Sequence, residues 1–266
     1  MRKFTKAADV DNPCQATPHL VTRRDTSPMK LLTAIPVHNE EKYLEEVLAQ
    51  VLKYADDVLV VDDGSKDRTP ELLKKFPVRV IRHETNQGYG AGLKTAFAAA
   101  LEGGYEGLVT LDCDGQHEPA LIPEIAAGLA EADIVSGSRY LQVFDPSQRP
   151  PEERRKINVE VTRWLNECLG LNLTDAFCGF KAYNRRALEC FDITDLGYAM
   201  PLQAWVQAVK HGLKIVEAPV PLIYLDESRA FGGSLDDSTY RLNHYRKVFA
   251  DALERAGLEV AGGCRG

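Results

Sequence analysis

The sequence predicts an α/β fold: a mostly parallel central sheet flanked by helices on both faces. Two observations predict it. From Lys30 onward, short apolar runs alternate with stretches of helical periodicity. The short runs are apolar throughout, which is what a strand buried on both faces requires. A third observation bears on function. Acidic and glycine-rich motifs follow several of those runs directly, and open α/β sheets bind ligands beyond the carboxyl ends of their strands.

The elements follow in order. Leu31–Val37 is apolar and ends in a proline-containing turn, so it reads as the first buried strand. Asn39 is expected to cap the next helix, because its side chain can accept from an orphan backbone N–H. Tyr43, Leu44, Val47, Leu48, Val51 and Leu52 give that helix its apolar face. Residues 57–61 read as a strand, 67–75 as a helix and 78–82 as a strand. A glycine-broken turn leads to a helix near 91–101, a strand at 107–111, a helix at 119–130 and a strand at 134–136. Residues 141–151, rich in proline and polar side chains, are expected to form a mobile loop. Then come a helix at Glu152–Leu169, a strand at 180–184, a helix at 201–210 and a strand at 213–217. A flexible loop at 230–238, with Gly232 and Gly233, precedes a closing helix at 239–256. Residues 1–28 carry Pro13, Pro18 and Pro28 and are expected to be a flexible N-terminal arm, with 29–258 a single domain and 259–266 a tail.

Composition narrows the function classes. The 266 residues carry 32 Lys or Arg against 39 Asp or Glu, a net charge of −7, with 44% hydrophobic residues. That balance fits a soluble globular chain and argues against nucleic acid as the main partner, since phosphate backbones select basic surfaces. None of the six cysteines forms a CxxC pair, so reduced thiols and a cytoplasmic location are expected. The N-terminus has no apolar core of a signal peptide, and no run of about 18 apolar residues exists to span a bilayer.

Four motifs carry chemistry. LDCDGQH at 111–117 follows an apolar strand; a turn beginning at Asp112 lets Asp112 and Asp114 converge, and hard oxygen donors suit Mg²⁺ or Mn²⁺. The bland alternative is an acidic turn capping a helix at Pro119. VVDDGSKD at 60–67 again puts acids at a strand end, where Asp63 can accept from a base N–H or ribose hydroxyls, while Ser65 and Asp67 suit a turn and a helix cap. PVHNE at 36–40 lines the same crevice, with Glu40 facing it and His38 reading as a turn residue before a base. NQGYGAGLK at 86–94 lacks the GxGxxG spacing of a dinucleotide fingerprint. Its glycines allow close backbone approach, and Lys94 either reaches a phosphate or is an ordinary solvated lysine.

Taken in order, IPVHNE, VVDDGSKDRT, NQGYGAG, LDCDGQHEP, GSRY and TDAFCGFKAY resemble family 2 glycosyltransferases of the GT-A fold. Among these they are most similar to dolichyl- or polyprenyl-phosphate mannosyl- and glucosyltransferases, from about Leu31 to Leu235. The resemblance implies nucleotide contacts from Pro36, His38, Glu40 and Asp63. It implies that Asp112, Asp114 and Gln116 hold a divalent metal and the diphosphate of a GDP- or UDP-hexose. It places Arg139 near the sugar-diphosphate, Asp175 near the acceptor and Arg229 in an acceptor loop against a phosphate. That loop departs from the family form DRxYGESK, with Gly233 for the glutamate and Leu235 for the lysine.

The expected activity is metal-dependent inverting transfer of a hexose to a polyprenyl phosphate, with peripheral attachment at the inner membrane face. The same donor chemistry with a soluble or glycan acceptor is the alternative. A hydroxyl acceptor needs a general base, for which Asp175 is the candidate; a phosphate is already ionised, and Asp175 would then orient groups. A sugar nucleotidyltransferase would want a glycine- and lysine-rich loop after the first strand, which 36–40 lacks. A non-catalytic nucleotide-binding protein would not need the Asp112/Asp114 pair. The stretch 240–247 is locally basic with aromatics and reads as a solvated helix face. The donor base and sugar, the oligomeric state and any part for His117 stay open.

Overall fold

The computed structural model describes residues 29–224 and 233–258. Arg229, the expected arm at 1–28 and the tail at 259–266 lie outside the described residues. Seven strands form one sheet: β1 Leu31–Val37, β2 Val58–Asp62, β3 Arg79–Arg82, β4 Gly107–Thr110, β5 Ile134–Ser138, β6 Lys181–Asn184 and β7 Ile215–Pro219. Their order is β3-β2-β1-β4-β6-β5-β7. All neighbours run parallel except β6, which is antiparallel to both β4 and β5. The sheet is therefore mostly parallel, as the sequence predicts.

Successive side chains of a strand point to opposite faces, and both faces here are apolar. Leu32, Ala34, Leu59, Val61 and Leu108 join one core with α3 (Tyr89–Glu102), α5 (Glu152–Leu169), α6 (Arg185–Cys190), α7 (Met200–Lys210) and α8 (Ser238–Ala256). Ile35, Val37, Val58, Val60 and Val109 join the other with α1 (Leu44–Val51), α2 (Thr69–Leu73) and α4 (Ile122–Ala127). Two covered faces explain why the strands read as unbroken apolar runs.

Several expectations need correction. Asn39 caps no helix. It sits at φ 56°, in the left-handed region, and α1 starts only at Leu44. Its side-chain oxygen instead accepts from Lys66 N at 2.8 Å, tying the turn after β1 to the turn after β2. The helix expected at 67–75 shrinks to Thr69–Leu73, with Asp67 accepting from Thr69 N at 2.9 Å. The helix expected at 119–130 is α4 flanked by single 3₁₀ turns, Pro119–Leu121 and Gly128–Ala130. α6 was not anticipated; Asn184 ends β6 and caps it, its side chain accepting from Ala187 N at 2.9 Å. Cys113 and Cys178 keep their thiols, but Cys168 and Cys190 are disulfide-bonded, against the expectation of reduced thiols throughout.

Candidate active site

The chain leaves β1, β2, β4 and β5 at the same edge of the sheet. At about 4.8 Å per strand spacing, the ends of β2 and β4 lie roughly 10 Å apart, and those of β4 and β5 another 10 Å. β6 runs the other way, so it brings to this edge the segment before it, residues 174–180. A cleft of about 690 Å³ opens there. Pro36, His38, Glu40, Asp63, Asp112, Asp114, Gln116 and Arg139 all line it. That volume suits a nucleotide-sized ligand.

At the β2 end, Asp63 is only 5% exposed. Its carboxylate accepts from Gly88 N at 2.7 Å, from Gln87 N at 2.9 Å and from His83 Nδ1 at 2.7 Å. It thereby fixes the turn that opens α3. The glycines there serve packing: a Cβ at Gly88 would stand 2.3 Å from Leu196 O, and one at Gly90 2.5 Å from Asp195 O. At the β1 end, His38 Nδ1 donates to Asp63 O at 2.9 Å and Nε2 accepts from the Asn39 amide at 3.0 Å. Glu40 is buried, its backbone N–H donating to Thr69 Oγ1 at 2.9 Å.

The turn after β4 carries the acids. Asp112 Oδ1 accepts from Tyr89 OH at 3.0 Å, and burial beside this carboxylate raises the Tyr89 pKa well above its usual value. Asp112 Oδ2 lies over Gly179, where a Cβ would stand 2.3 Å away. Asp114 Oδ1 accepts from Gln116 N at 3.0 Å, with Gly115 at φ 73° making the turn possible. His117 is buried behind this turn. Its Nδ1 accepts from Asp112 N at 3.0 Å, so the ring proton sits on Nε2, facing Cys178 and Asp112. His117 thus positions the acidic turn. Among the described residues, no cluster of three or more His, Cys, Asp or Glu is placed to hold a metal alone. Two carboxylates and the Gln116 amide are nevertheless a hard-oxygen set of the kind Mg²⁺ takes when phosphate oxygens complete its shell.

At the β5 end, Arg139 donates from Nε and Nη2 to both oxygens of Asp175, at 2.7 and 2.9 Å. Asp175 is fully buried, does not line the cleft and also accepts from Asn158 at 2.8 Å. Burial opposes its charge, yet the Arg139 guanidinium and the Asn158 amide hold its pKa far below the usual carboxylate range. Asp175 therefore stays ionised and aims Arg139, which makes it unsuited to take a proton. Its backbone is pinned in turn, with Thr174 N and Asp175 N donating to Glu217 on β7 at 2.9 and 3.0 Å.

Lys94 does not join the site. Two residues past cleft-lining Gly92, at about 100° per residue, it points away and donates to Ile193 O at 3.0 Å. Conversely, sequence reading missed Arg154, Asn158 and Arg241 in the cleft wall. Arg241 belongs to the stretch expected to be a solvated face, but it is 4% exposed and donates to Leu235 O at 2.8 Å. Its guanidinium thus lies beside the position where the family lysine is missing.

The sequence model described as Glycosyl transferase family 2 matches residues 33–191. The chain belongs to this family. The match covers the strand-end turns that line the cleft as far as Arg139, together with Asp175 behind it. This family 2 glycosyltransferase is 31% identical to an undecaprenyl-phosphate mannosyltransferase of Micrococcus luteus, over 82% of this chain and 94% of that protein. It is 30% identical to a polyprenol monophosphomannose synthase of Mycolicibacterium smegmatis, over 80% of this chain and 85% of that one. Its fold is that of glucosyl-3-phosphoglycerate synthase from Mycobacterium tuberculosis solved with UDP: TM-score 0.64 at 19% identity, over 88% of this chain and 82% of that one. The family 2 enzyme thus has the GT-A architecture. No described helix is long and apolar enough to cross a membrane.

Proposed function

We propose that this family 2 enzyme transfers a hexose from a nucleoside diphosphate sugar to a polyprenyl phosphate, with inversion at the anomeric carbon. One observation carries the reading: a single cleft is lined both by Asp112 and Asp114, after β4, and by Arg139, Arg154 and Arg241. Carboxylates cannot bind a diphosphate unaided, whereas arginines bind a phosphate directly. The order along the edge is then nucleoside at the β1 and β2 turns, diphosphate at the β4 turn and acceptor at the arginines. The relatives named for undecaprenyl phosphate and polyprenol support that acceptor.

Asp112, Asp114 and Gln116 would hold a divalent cation, which when bound offsets the charge on the departing diphosphate as a Lewis acid. The chain's own residues do the rest. Tyr89 holds the Asp112 carboxylate, and His117 holds the Asp112 backbone N–H. Arg139, locked by Asp175, holds the acceptor phosphate so that one of its oxygens faces the anomeric carbon. That oxygen bonds to the carbon as the bond to the diphosphate breaks. A phosphate dianion carries no proton to remove, which agrees with a site whose buried acid is an orienting group. Arg229 is proposed as a further phosphate contact.

The test is a turnover panel: GDP-mannose, UDP-glucose and UDP-N-acetylglucosamine, each with undecaprenyl phosphate or 3-phosphoglycerate, in Mn²⁺, Mg²⁺ or EDTA. One donor with the lipid phosphate is expected to turn over, and EDTA to stop it. Turnover with 3-phosphoglycerate alone, or undiminished turnover in EDTA, would overturn the acceptor or the metal assignment respectively.

A further inference from the structure

We propose that the rim loop between Tyr140 and Arg154 seats the cleft on an anionic bilayer surface; this rests on the lipid-phosphate reading. The loop leaves the cleft at Tyr140 and returns to it at Arg154, since both residues line it. Between them, Leu141, Val143 and Phe144 are 47%, 73% and 46% exposed. Among the described residues, no other stretch of four positions leaves three large apolar side chains this exposed. The loop has a defined shape. Asp145 accepts from Ser147 N at 2.8 Å, and Gln148 accepts from Tyr224 N at 3.3 Å, beside the cleft.

Charge selects the partner. Residues 139–156 carry five cations against three acids, in a chain whose net charge is −7. Arg149, Arg155 and Lys156 are exposed on the same loop and the helix start that follows it, with Lys156 paired to Glu152 at 2.7 Å. Apolar side chains that enter the headgroup boundary, flanked by cations that meet anionic lipids, are the pattern of interfacial binding. A polyprenyl phosphate keeps its chain in the bilayer and presents its phosphate at headgroup level. To reach that phosphate, the cleft must come to that level. An apolar rim adjoining Tyr140 and Arg154 brings it there with the arginine wall facing the lipid.

The experiment is co-sedimentation of the full chain with phosphatidylcholine vesicles, with and without phosphatidylglycerol. Wild type is compared with the triple variant Leu141→Ser, Val143→Ser, Phe144→Ser. Wild type should bind the phosphatidylglycerol vesicles, and the triple variant should lose roughly tenfold or more of that partition. Transfer to undecaprenyl phosphate embedded in vesicles should fall in parallel. Transfer to a short, water-soluble prenyl phosphate should not change. Equal partition of the two proteins would overturn the proposal. So would a shifted monomer–dimer equilibrium with unchanged partition, which would make the patch a self-association surface. Loop-dependent partition with no prenyl phosphate accepted would instead remove the acceptor reading and leave the docking surface standing.

Discussion

The two walls of the cleft are built differently. The wall proposed for the donor hangs on strand ends: each group sits within a few residues of an apolar run, on Pro36–Glu40, Asp63 or Asp112–Gln116. The wall proposed for the acceptor is assembled from distant pieces, with Arg139 after β5, Arg154 and Asn158 on α5 and Arg241 on α8. The first offers carboxylates and backbone turns, the second guanidinium groups. Chemistry carried by a turn shows in a short motif, whereas chemistry gathered from helix faces shows only after folding.

The sharpest way to separate the walls is to damage one at a time. Asp114→Asn should lower turnover on the order of a thousandfold, since a metal on the leaving group stabilises the transition state by several kcal/mol. Calorimetry should also show donor binding that no longer responds to Mn²⁺. Arg241→Gln should instead raise the KM for the phosphate acceptor by about ten- to a hundredfold, with the KM for donor unchanged. If Arg241→Gln moved the donor KM, the division into walls would be wrong.

Next in size is the pair that stiffens the acceptor wall. Asp175→Asn leaves the Arg139 guanidinium, open only to the cleft, without its counter-charge and should cost about 3 kcal/mol at most in denaturant unfolding. The pH dependence follows from the depressed pKa of Asp175. Its contribution is complete above the unfolded value of about 3.9 and is lost as pH falls below it toward the folded value. The gap between wild type and variant should therefore begin to narrow as pH falls below about 4 and keep narrowing toward the folded value; a gap that did not narrow at all over that range would refute the ion pair. The smallest effect is expected at Lys94→Met. The residue is exposed and its ammonium donates to a carbonyl, so stability should shift by about 0.5 kcal/mol at most. Steady-state constants should stay within error; a rise in donor KM would restore Lys94 to the donor wall.

Legibility followed the same line. β1 and α5 have the bounds the sequence indicates, because apolar runs and helical stripes are local signals. The acidic turns line the cleft because parallel strands deliver their ends to one edge. Lys94 misled because a lysine after a glycine run is the right residue on the wrong side of its helix. Asn39 misled because a cap and a left-handed turn want the same side chain. Arg241 hid in a basic helix stretch; a small clue was Leu235, which lacks the charge that Arg241 brings to the same place. Asp175 was legible as a residue of importance, but its burial behind Arg139 depends on β6 and β7, which no local pattern orders.

One reversed strand has a consequence for tolerance. Because β6 points against its neighbours, the five residues from Asp175 to Gly179 bridge the gap between the β4 and β5 turns. One end grips Arg139, and the other lies flat beneath the Asp112 carboxylate. On the proposed reading this stretch works as a feeler gauge: its length would calibrate how far apart the two reactants are presented. Insertion or loss of a single residue here would spoil the alignment of both at once, while substitutions of far greater bulk on the outer helices would leave it true.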